Sequence, residues 1–405
     1  MTSHPGHRLL AAILLLAIWT AGASAERLPV TLGLVVPMAG EAGRVGQSMR
    51  RAAEVAVADW QQRLGRPVTL TVKEDQFDPR QAAALAHQLV KGGVWGVVGH
   101  YYSSSSIPAA AVYAEAGIPQ ITPTATHPRL TAMGYPTVFR MAGRDDQQAV
   151  TAADFLVDRL RRRRVAVIQD RTEYGQTLAS SFRRTLERRA PRRIVLEESV
   201  AQGDKQFDDL TARIAGARPD AIYFGGIYRE AALLLKQIRR AGIDAAFLSG
   251  DGVLDPEFIS LAGEPALAEV YLTFMPDPRS LPTARPIIQR YEAKHGTLGP
   301  YVLYTYDAVG AYCWALEKSR PASADKDELA KLVQVLRRGG YPGALGTLRW
   351  DARGDRAASP YIMYTIKKDG SLHRWFEPAA LPMQPPEGHR AVPSHRGARR
   401  RPQAK

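Results

Sequence analysis

Short apolar runs of strand length alternate with amphipathic stretches of helix length along nearly all of this chain, and no other feature constrains its fold as much. Thr31–Val36 is followed by Gln47–Arg63, where Met49, Ala52, Ala53, Ala56 and Trp60 recur at helical spacing. Val68–Glu74 leads to Pro79–Lys91, which Gly92-Gly93 ends. The order repeats in Val165–Ile168 with Tyr174–Arg188, Ile194–Leu196 with Phe207–Ala215, and Ala221–Phe224 with Glu230–Ala241, before Phe247–Ser249 and Val270–Phe274. Neighbouring parallel strands need a crossover between them, usually a helix. The pattern therefore predicts an α/β fold with parallel sheets covered by helices on both faces. Two such series meet near Arg140–Asp145, and Met275-Pro276-Asp277-Pro278 offers a place to cross back, so two doubly wound lobes are expected. Helices Arg285–Lys294 and Tyr301–Lys318 follow, then Leu345–Trp350 and Tyr361–Lys367, with Asp369-Gly370 as a hairpin-type turn.

The ends of the chain bear on its compartment. Arg8 precedes the apolar run Leu9–Trp19, and Ala23-Ser24-Ala25 supplies an A-x-A cleavage pattern before Glu26. That reads as a secretory signal peptide over 1–25, too short for the roughly 20 apolar residues of a bilayer span. A soluble, exported product is expected. Cys313 is the single cysteine, which excludes an intramolecular disulfide and a thiolate metal cluster; its apolar helical setting predicts a buried thiol. The formal net charge of +14 invites a nucleic-acid partner, but export argues against one. Part of that charge is local: Gln384–Lys405 carries five arginines and a lysine against one glutamate. Residues 381–405 are expected to be a disordered basic tail. The run Arg159–Arg164 lies just ahead of a strand and reads as the end of a helix, where cations complement the dipole.

Two hydroxyl-rich loops stand out. Gly99-His100-Tyr101-Tyr102 turns the chain after the apolar run Trp95–Val98, and Ser103-Ser104-Ser105-Ser106 opens a helix with Pro108 in its first turn. A helix start offers free N–H groups and a partial positive charge to an anion. About twenty residues on, Ile118–Thr122 ends in Pro123-Thr124-Ala125-Thr126. Ligands of open α/β sheets bind at the carboxyl ends of strands, so the loops suggest a carboxylate site; turn and cap chemistry accounts for them equally well. Gly250-Asp251-Gly252 places a carboxylate on the same edge, either as a simple turn or as the partner of a ligand's cationic end. His100 has no orienting acid at recognisable spacing, and nucleophile elbow, phosphate loop and zinc-ligand helix are all absent, which disfavours an enzyme.

These residues resemble the periplasmic solute-binding proteins of branched-chain amino acid transporters, the Leu/Ile/Val-binding type. The likeness runs from Val30 to Trp375. It is carried in order by Asp78-Pro79-Arg80-Gln81-Ala82, Gly99-His100 with the serine run, Thr122–Thr126, Glu173-Tyr174-Gly175-Gln176, Gly225-Gly226, Gly250-Asp251-Gly252-Val253 and Trp350-Asp351-Ala352-Arg353-Gly354-Asp355. The resemblance implies two Rossmann-like lobes joined by three crossovers, with the ligand between them. It implies lobes of 26–144 plus 276–358 and of 145–275 plus 359–380. By the same resemblance, Ser103 and Thr126 hold the ligand's α-carboxylate, the Thr124 carbonyl and Asp251 hold its ammonium, and Tyr174 closes over it from the second lobe. Tyr301, at the head of its helix, is counted with the ligand-binding residues.

The departures from the family concern the side-chain pocket. Asp251 stands where glutamate is usual, and Val45 and Ile227 stand where aromatics are usual, with Tyr228 next to the latter. Tyr101 and Tyr102 replace a smaller apolar pair; one of that pair is, in well-known members, a cysteine bonded to the position of Phe77, so a Phe77–Tyr102 contact is expected instead. The expectation is a monomer that captures an amino acid, first an aliphatic one, by hinge closure and hands it to an ABC permease. No cofactor, metal or nucleic acid is expected. A different small acid or amide as ligand, or a sensory role beside a receptor, stays open.

Overall fold

A computed structural model describes residues 28–40, 42–357, 360–366 and 372–376. The expected signal peptide at 1–25, the Asp369-Gly370 turn and the basic tail at 381–405 lie outside the described residues.

The first series comprises β1 (Val30–Val35), α1 (Gly43–Leu64), β2 (Val68–Lys73), α2 (Pro79–Lys91), β3 (Gly96–Val98), α3 (Ser103–Ala116), β4 (Gln120–Thr122), α4 (Arg129–Ala132) and β5 (Val138–Arg140). Its strands pair in parallel in the order β2-β1-β3-β4-β5. Local chemistry sets the helix starts. Asp78 accepts from Arg80 N–H at 2.7 Å and Gln81 N–H at 3.4 Å, and Pro79 needs no donor in the first turn of α2.

The second series runs α5 (Asp145–Asp154), β6 (Val165–Gln169), α6 (Glu173–Arg189), β7 (Ile194–Ser199), α7 (Asp208–Ala217), β8 (Ala221–Gly225), α8 (Tyr228–Arg240), β9 (Ala246–Ser249), α9 (Pro256–Ala262) and β10 (Val270–Phe274). The chain then returns to the first sheet through α10 (Arg285–His295), α11 (Val302–Ser319) and α12 (Lys326–Arg338). On α11, the Tyr312 hydroxyl donates toward Pro119 O at 2.6 Å and accepts from Val97 N–H at 3.2 Å, and its ring covers Gly96, where a Cβ would lie 2.4 Å from a ring carbon. The hairpin β11 (Tyr341–Gly343) and β12 (Gly346–Leu348) follows. Finally β13 (Ile362–Ile366) and β14 (Leu372–Phe376) add antiparallel to the second sheet, whose order is β14-β13-β10-β9-β8-β6-β7. The chain therefore passes between the two sheets three times, after β5, after β10 and after β12.

Most expected elements appear within a few residues of their expected bounds. The spacing alone did not reveal α4, β5, α5, α9, α12 and β11. Cys313 is fully buried in α11, and burial pushes its thiol up to about 12, as for an inert core residue. Arg159 ends the turn Phe155–Arg159 after α5, as the helix-end reading of the arginine run requires. Among the described residues no helix is long and apolar enough to cross a membrane.

Candidate functional site

The carboxyl edges of the two sheets face each other across a cleft of about 410 Å³, within the usual range for a small-molecule site. Tyr101, Tyr102, Ser103, Thr124, Thr126 and Tyr301 line it from the first-sheet side, and Tyr174, Tyr228 and Asp251 from the second. The structure thus brings all nine sequence-selected residues to one cavity. The sheet orders explain why: strand succession reverses between β1 and β3 in one sheet and between β6 and β8 in the other, and loops diverge at such points.

The serine-bearing wall differs from expectation in one respect. The serines are not ahead of the helix: α3 begins at Ser103 itself, Tyr102 takes the cap position without a side-chain bond, and Pro108 lies inside the helix. Ser105 and Ser106 N–H groups both turn onto Tyr102 O, at 3.2 and 2.8 Å. The N–H groups of Ser103 and Ser104, the two serines lining the cleft, are then those left without a partner in the helix. Thr124 donates its hydroxyl to Tyr101 O at 2.6 Å, fastening the second hydroxyl loop to the first.

This wall is anchored from behind. His100 is fully buried, with Nδ1 2.6 Å from Asp75 Oδ2 and Nε2 3.0 Å from Tyr113 OH. The orienting acid missed by sequence spacing is therefore Asp75, 25 residues upstream. The histidine's far nitrogen faces a buried tyrosine instead of a serine, so the group braces the loop, as a hydrogen-bonded loop histidine should.

Opposite stands Asp251, 2% exposed. Oδ1 accepts from Gln148 Nε2 at 2.8 Å and Tyr174 OH at 2.9 Å; Oδ2 accepts from Tyr301 OH at 3.2 Å. Burial raises its pKa, while those three donors pull it down. Tyr301 reaches Asp251 from a helix packed on the first sheet, so this pair spans the cleft. Gln148 was not foreseen. It lies on α5, and it also receives Asp251 N–H at 3.1 Å and the Thr273 hydroxyl at 2.7 Å on Oε1. The glycines flanking Asp251 are spatially required: a Cβ at Gly250 or Gly252 would press on Tyr174 at 2.6–2.7 Å.

Aromatic rings close the remaining wall. Phe77 and Tyr102 meet with ring centroids 3.5 Å apart and planes tilted by 32°, the contact expected in place of a disulfide. Tyr101 meets Tyr102 edge-on at 4.6 Å and Tyr301 at 6.0 Å. Val45 and Ile227 also border the cavity, and Tyr228 donates its hydroxyl to Glu257 at 2.8 Å. Glu257 pairs in turn with Arg44 of α1 across the cleft mouth. At the opposite rim His127 faces Glu173 at 3.3 Å; its Nδ1 accepts from Arg129 N–H, and burial with nearby Arg140 and Arg129 pushes it down to about 4.

The profile of the periplasmic binding protein family matches residues 29–371. An amino acid binding protein of Pseudomonas aeruginosa is 35% identical over 350 residues, 85% of this chain and 92% of that one. A Leu/Ile/Val-binding protein homolog of Brucella abortus is 35% identical over 363 residues, 89% of this chain and 96% of that one. Among solved structures, a leucine binding protein from Thermotoga maritima superposes with a TM-score of 0.78 at 26% identity, covering 86% of this chain and 98% of its own.

Proposed function

From the premise that the chain belongs to the periplasmic binding protein family, we propose that it captures a branched-chain or other aliphatic amino acid in its cleft and delivers it to an ABC permease of the inner membrane. One arrangement carries this reading. A helix start with hydroxyls forms one wall, and a buried, triply hydrogen-bonded carboxylate stands on the other. A zwitterion taken out of water needs both ends paired, because an unpaired buried charge is very costly.

In this reading the Ser103 and Thr126 hydroxyls take the α-carboxylate, and the Thr124 carbonyl and Asp251 take the ammonium. Tyr174 closes from the second lobe. Tyr101, Tyr102, Tyr228 and Tyr301 bound the side chain, whose apolar neighbours are Phe77, Val45, Ile227 and Leu254. The lobes would be 26–144 plus 276–358 and 145–275 plus 359–380, opening about the three crossings. A ligand touching both walls binds the closed form better and shifts the population toward it. The protein acts as a periplasmic monomer after cleavage behind Ala25, and it binds without catalysing: His100, which Asp75 orients, is sealed behind the wall.

Thermal unfolding against the twenty L-amino acids tests this. Leucine, isoleucine or valine at 100 times its dissociation constant should stabilise the protein by about 2.7 kcal/mol. A response to none of the twenty would overturn the reading. Ser103→Ala removes a hydrogen bond to a charged group and should weaken the best ligand by about 1.5–3 kcal/mol in calorimetry; an unaltered affinity would take Ser103 out of the carboxylate site.

A further inference from the structure

Helix-end chemistry accounts for only part of the arginine run. Arg159 closes the turn Phe155–Arg159, but Arg161–Arg164 lie beyond it and lead into β6. They stand at the amino edge of the second sheet, whereas the cleft opens at its carboxyl edge, about 16 Å away along the five residues of β6. Hydrogen bonds draw other segment ends to the same place. Arg193, ahead of β7, donates from Nη1 to Arg162 O at 2.7 Å. Arg164 donates to Ala217 O and Arg218 O, at the end of α7, at 2.6 and 2.9 Å. Arg189, the last residue of α6, reaches Asp158 of the turn at 2.6 Å.

The acids that knit this edge are already engaged. Asp154 and Asp158 take Arg189, and Glu269 takes Arg162. Asp220 spends both carboxylate oxygens on the N–H groups of Arg163 and Arg164, at 2.8 Å each. Arg161, Arg163, Arg188, Arg192 and Arg218 are exposed, and none forms an ion pair with a described residue. Arg188 and Arg218 stand at helix ends, where a cation complements the dipole. No such reason covers Arg161, Arg163 and Arg192, which lie in loops. Arg161 and Arg192 hold φ +54 and +64, left-handed backbone in which glycine or asparagine is the easier residue. Local structure therefore does not call for arginine at either position.

We propose that this arginine-rich edge is a docking surface for a membrane rich in anionic phospholipid. A guanidinium matches a phosphate with paired N–H donors and keeps its charge throughout the physiological pH range. Five such groups without counter-charges repel one another, and a layer of lipid phosphates relieves that repulsion. Export favours lipid over nucleic acid as the polyanion, and the proposal takes only that compartment from the function proposed above. Docked by this edge, the protein keeps its cleft on the far side of the sheet. Capture of an amino acid and attachment to the membrane are then independent.

Sedimentation of the full chain with lipid vesicles tests this. Wild type should co-sediment with phosphatidylglycerol vesicles and not with phosphatidylcholine vesicles, and added salt should release it. An arginine near an anionic surface is worth about fivefold in binding, so Arg161→Gln, Arg163→Gln and Arg192→Gln together should weaken it on the order of a hundredfold. The triple Arg51→Gln, Arg285→Gln and Arg338→Gln removes the same charge from exposed positions on α1, α10 and α12, and should lose far less. Equal losses would mean that net charge alone draws the protein to lipid, and would overturn the assignment to this edge. Wild type that ignores both vesicles but is held by heparin would overturn lipid as the partner in favour of a soluble polyanion. Binding to neither would overturn the docking surface altogether. Calorimetry with L-leucine keeps the two readings apart. The first triple should bind L-leucine as wild type does, and a loss confined to that triple would overturn the independence of cleft and membrane. If L-leucine binds neither protein, the ligand reading fails and the vesicle result still decides the docking surface.

Discussion

Asp251→Ala is expected to cost about 3–5 kcal/mol of amino-acid affinity, more than a hundredfold in dissociation constant. The ligand's ammonium would enter a buried position with no counter-charge. The Gln148 amide and the Tyr174 and Tyr301 hydroxyls would also lose their shared acceptor. Because Tyr301 reaches Asp251 from the opposite wall, part of the loss should come from a weakened closed form. Asp251→Asn separates the effects: it keeps the shape but removes the charge, and should resemble alanine in affinity more than in stability. Asp251→Glu keeps the charge and should lose least. The raised pKa of Asp251 adds a pH signature: binding needs the ionised carboxylate, so affinity should begin to fall on acidification at a higher pH than an ordinary aspartate would set. Calorimetry with the tightest ligand, alongside circular dichroism to verify folding, checks all of these. Full affinity in Asp251→Ala together with a loss in Ser103→Ala would mean a ligand that is an acid without a buried ammonium.

The sheet edges of this site were legible because strand–helix alternation is a period-level signal; eight of the nine selected residues follow strand ends, Tyr301 stands at the head of α11, and the family resemblance is what marked them as ligand residues. What escaped was whatever depends on contacts between segments. Gln148 is an ordinary glutamine in sequence, and its helix is hard to read because its buried face includes Asp145 and Gln148 beside small alanines. Asp75 became the partner of His100 only when β2 and β3 were set on either side of β1. The placement of α3 went astray because serine ahead of proline is a strong cap pattern, whereas here packing carried the helix back through the serines to the cleft. By contrast, α12 has its signals in plain view, with Asp325 accepting from Glu328 N–H and Leu329, Leu332, Val333 and Leu336 on one face.

Asp355→Ala should lower folding stability by about 3–5 kcal/mol, measured by urea unfolding at pH 7. Asp355 lies on the last crossing between the sheets. Asp351 Oδ1 gathers the N–H groups of Arg353, Gly354 and Asp355 at 2.8–3.0 Å. Gly354, at φ +98, hands its carbonyl to Arg140 N–H at 2.9 Å in a space where a Cβ would lie 2.0 Å from Val138 O. The Asp355 carboxylate then binds buried Arg140 and largely buried Arg144, each at 2.9 Å. Removing it leaves the Arg140 guanidinium buried without a counter-charge. Burial alone would raise the Asp355 pKa, but the Arg140 and Arg144 charges hold it below its ordinary value. A depressed folded pKa gives stability that is present above the unfolded value and lost as pH falls through the folded one. The gap between wild type and Asp355→Asn should therefore be widest near neutrality and narrow below about pH 4. Asp307 provides the opposite sign in the same molecule. Burial pushes its pKa up to about 7 against the pull of Leu345 and Ala344 N–H groups, so its contribution to stability declines as pH rises from about 4. Opposite pH trends in Asp355→Asn and Asp307→Asn would locate the acid sensitivity of the fold at the crossing. Parallel trends would mean that the arginine pair does not outweigh the cost of burying Asp355.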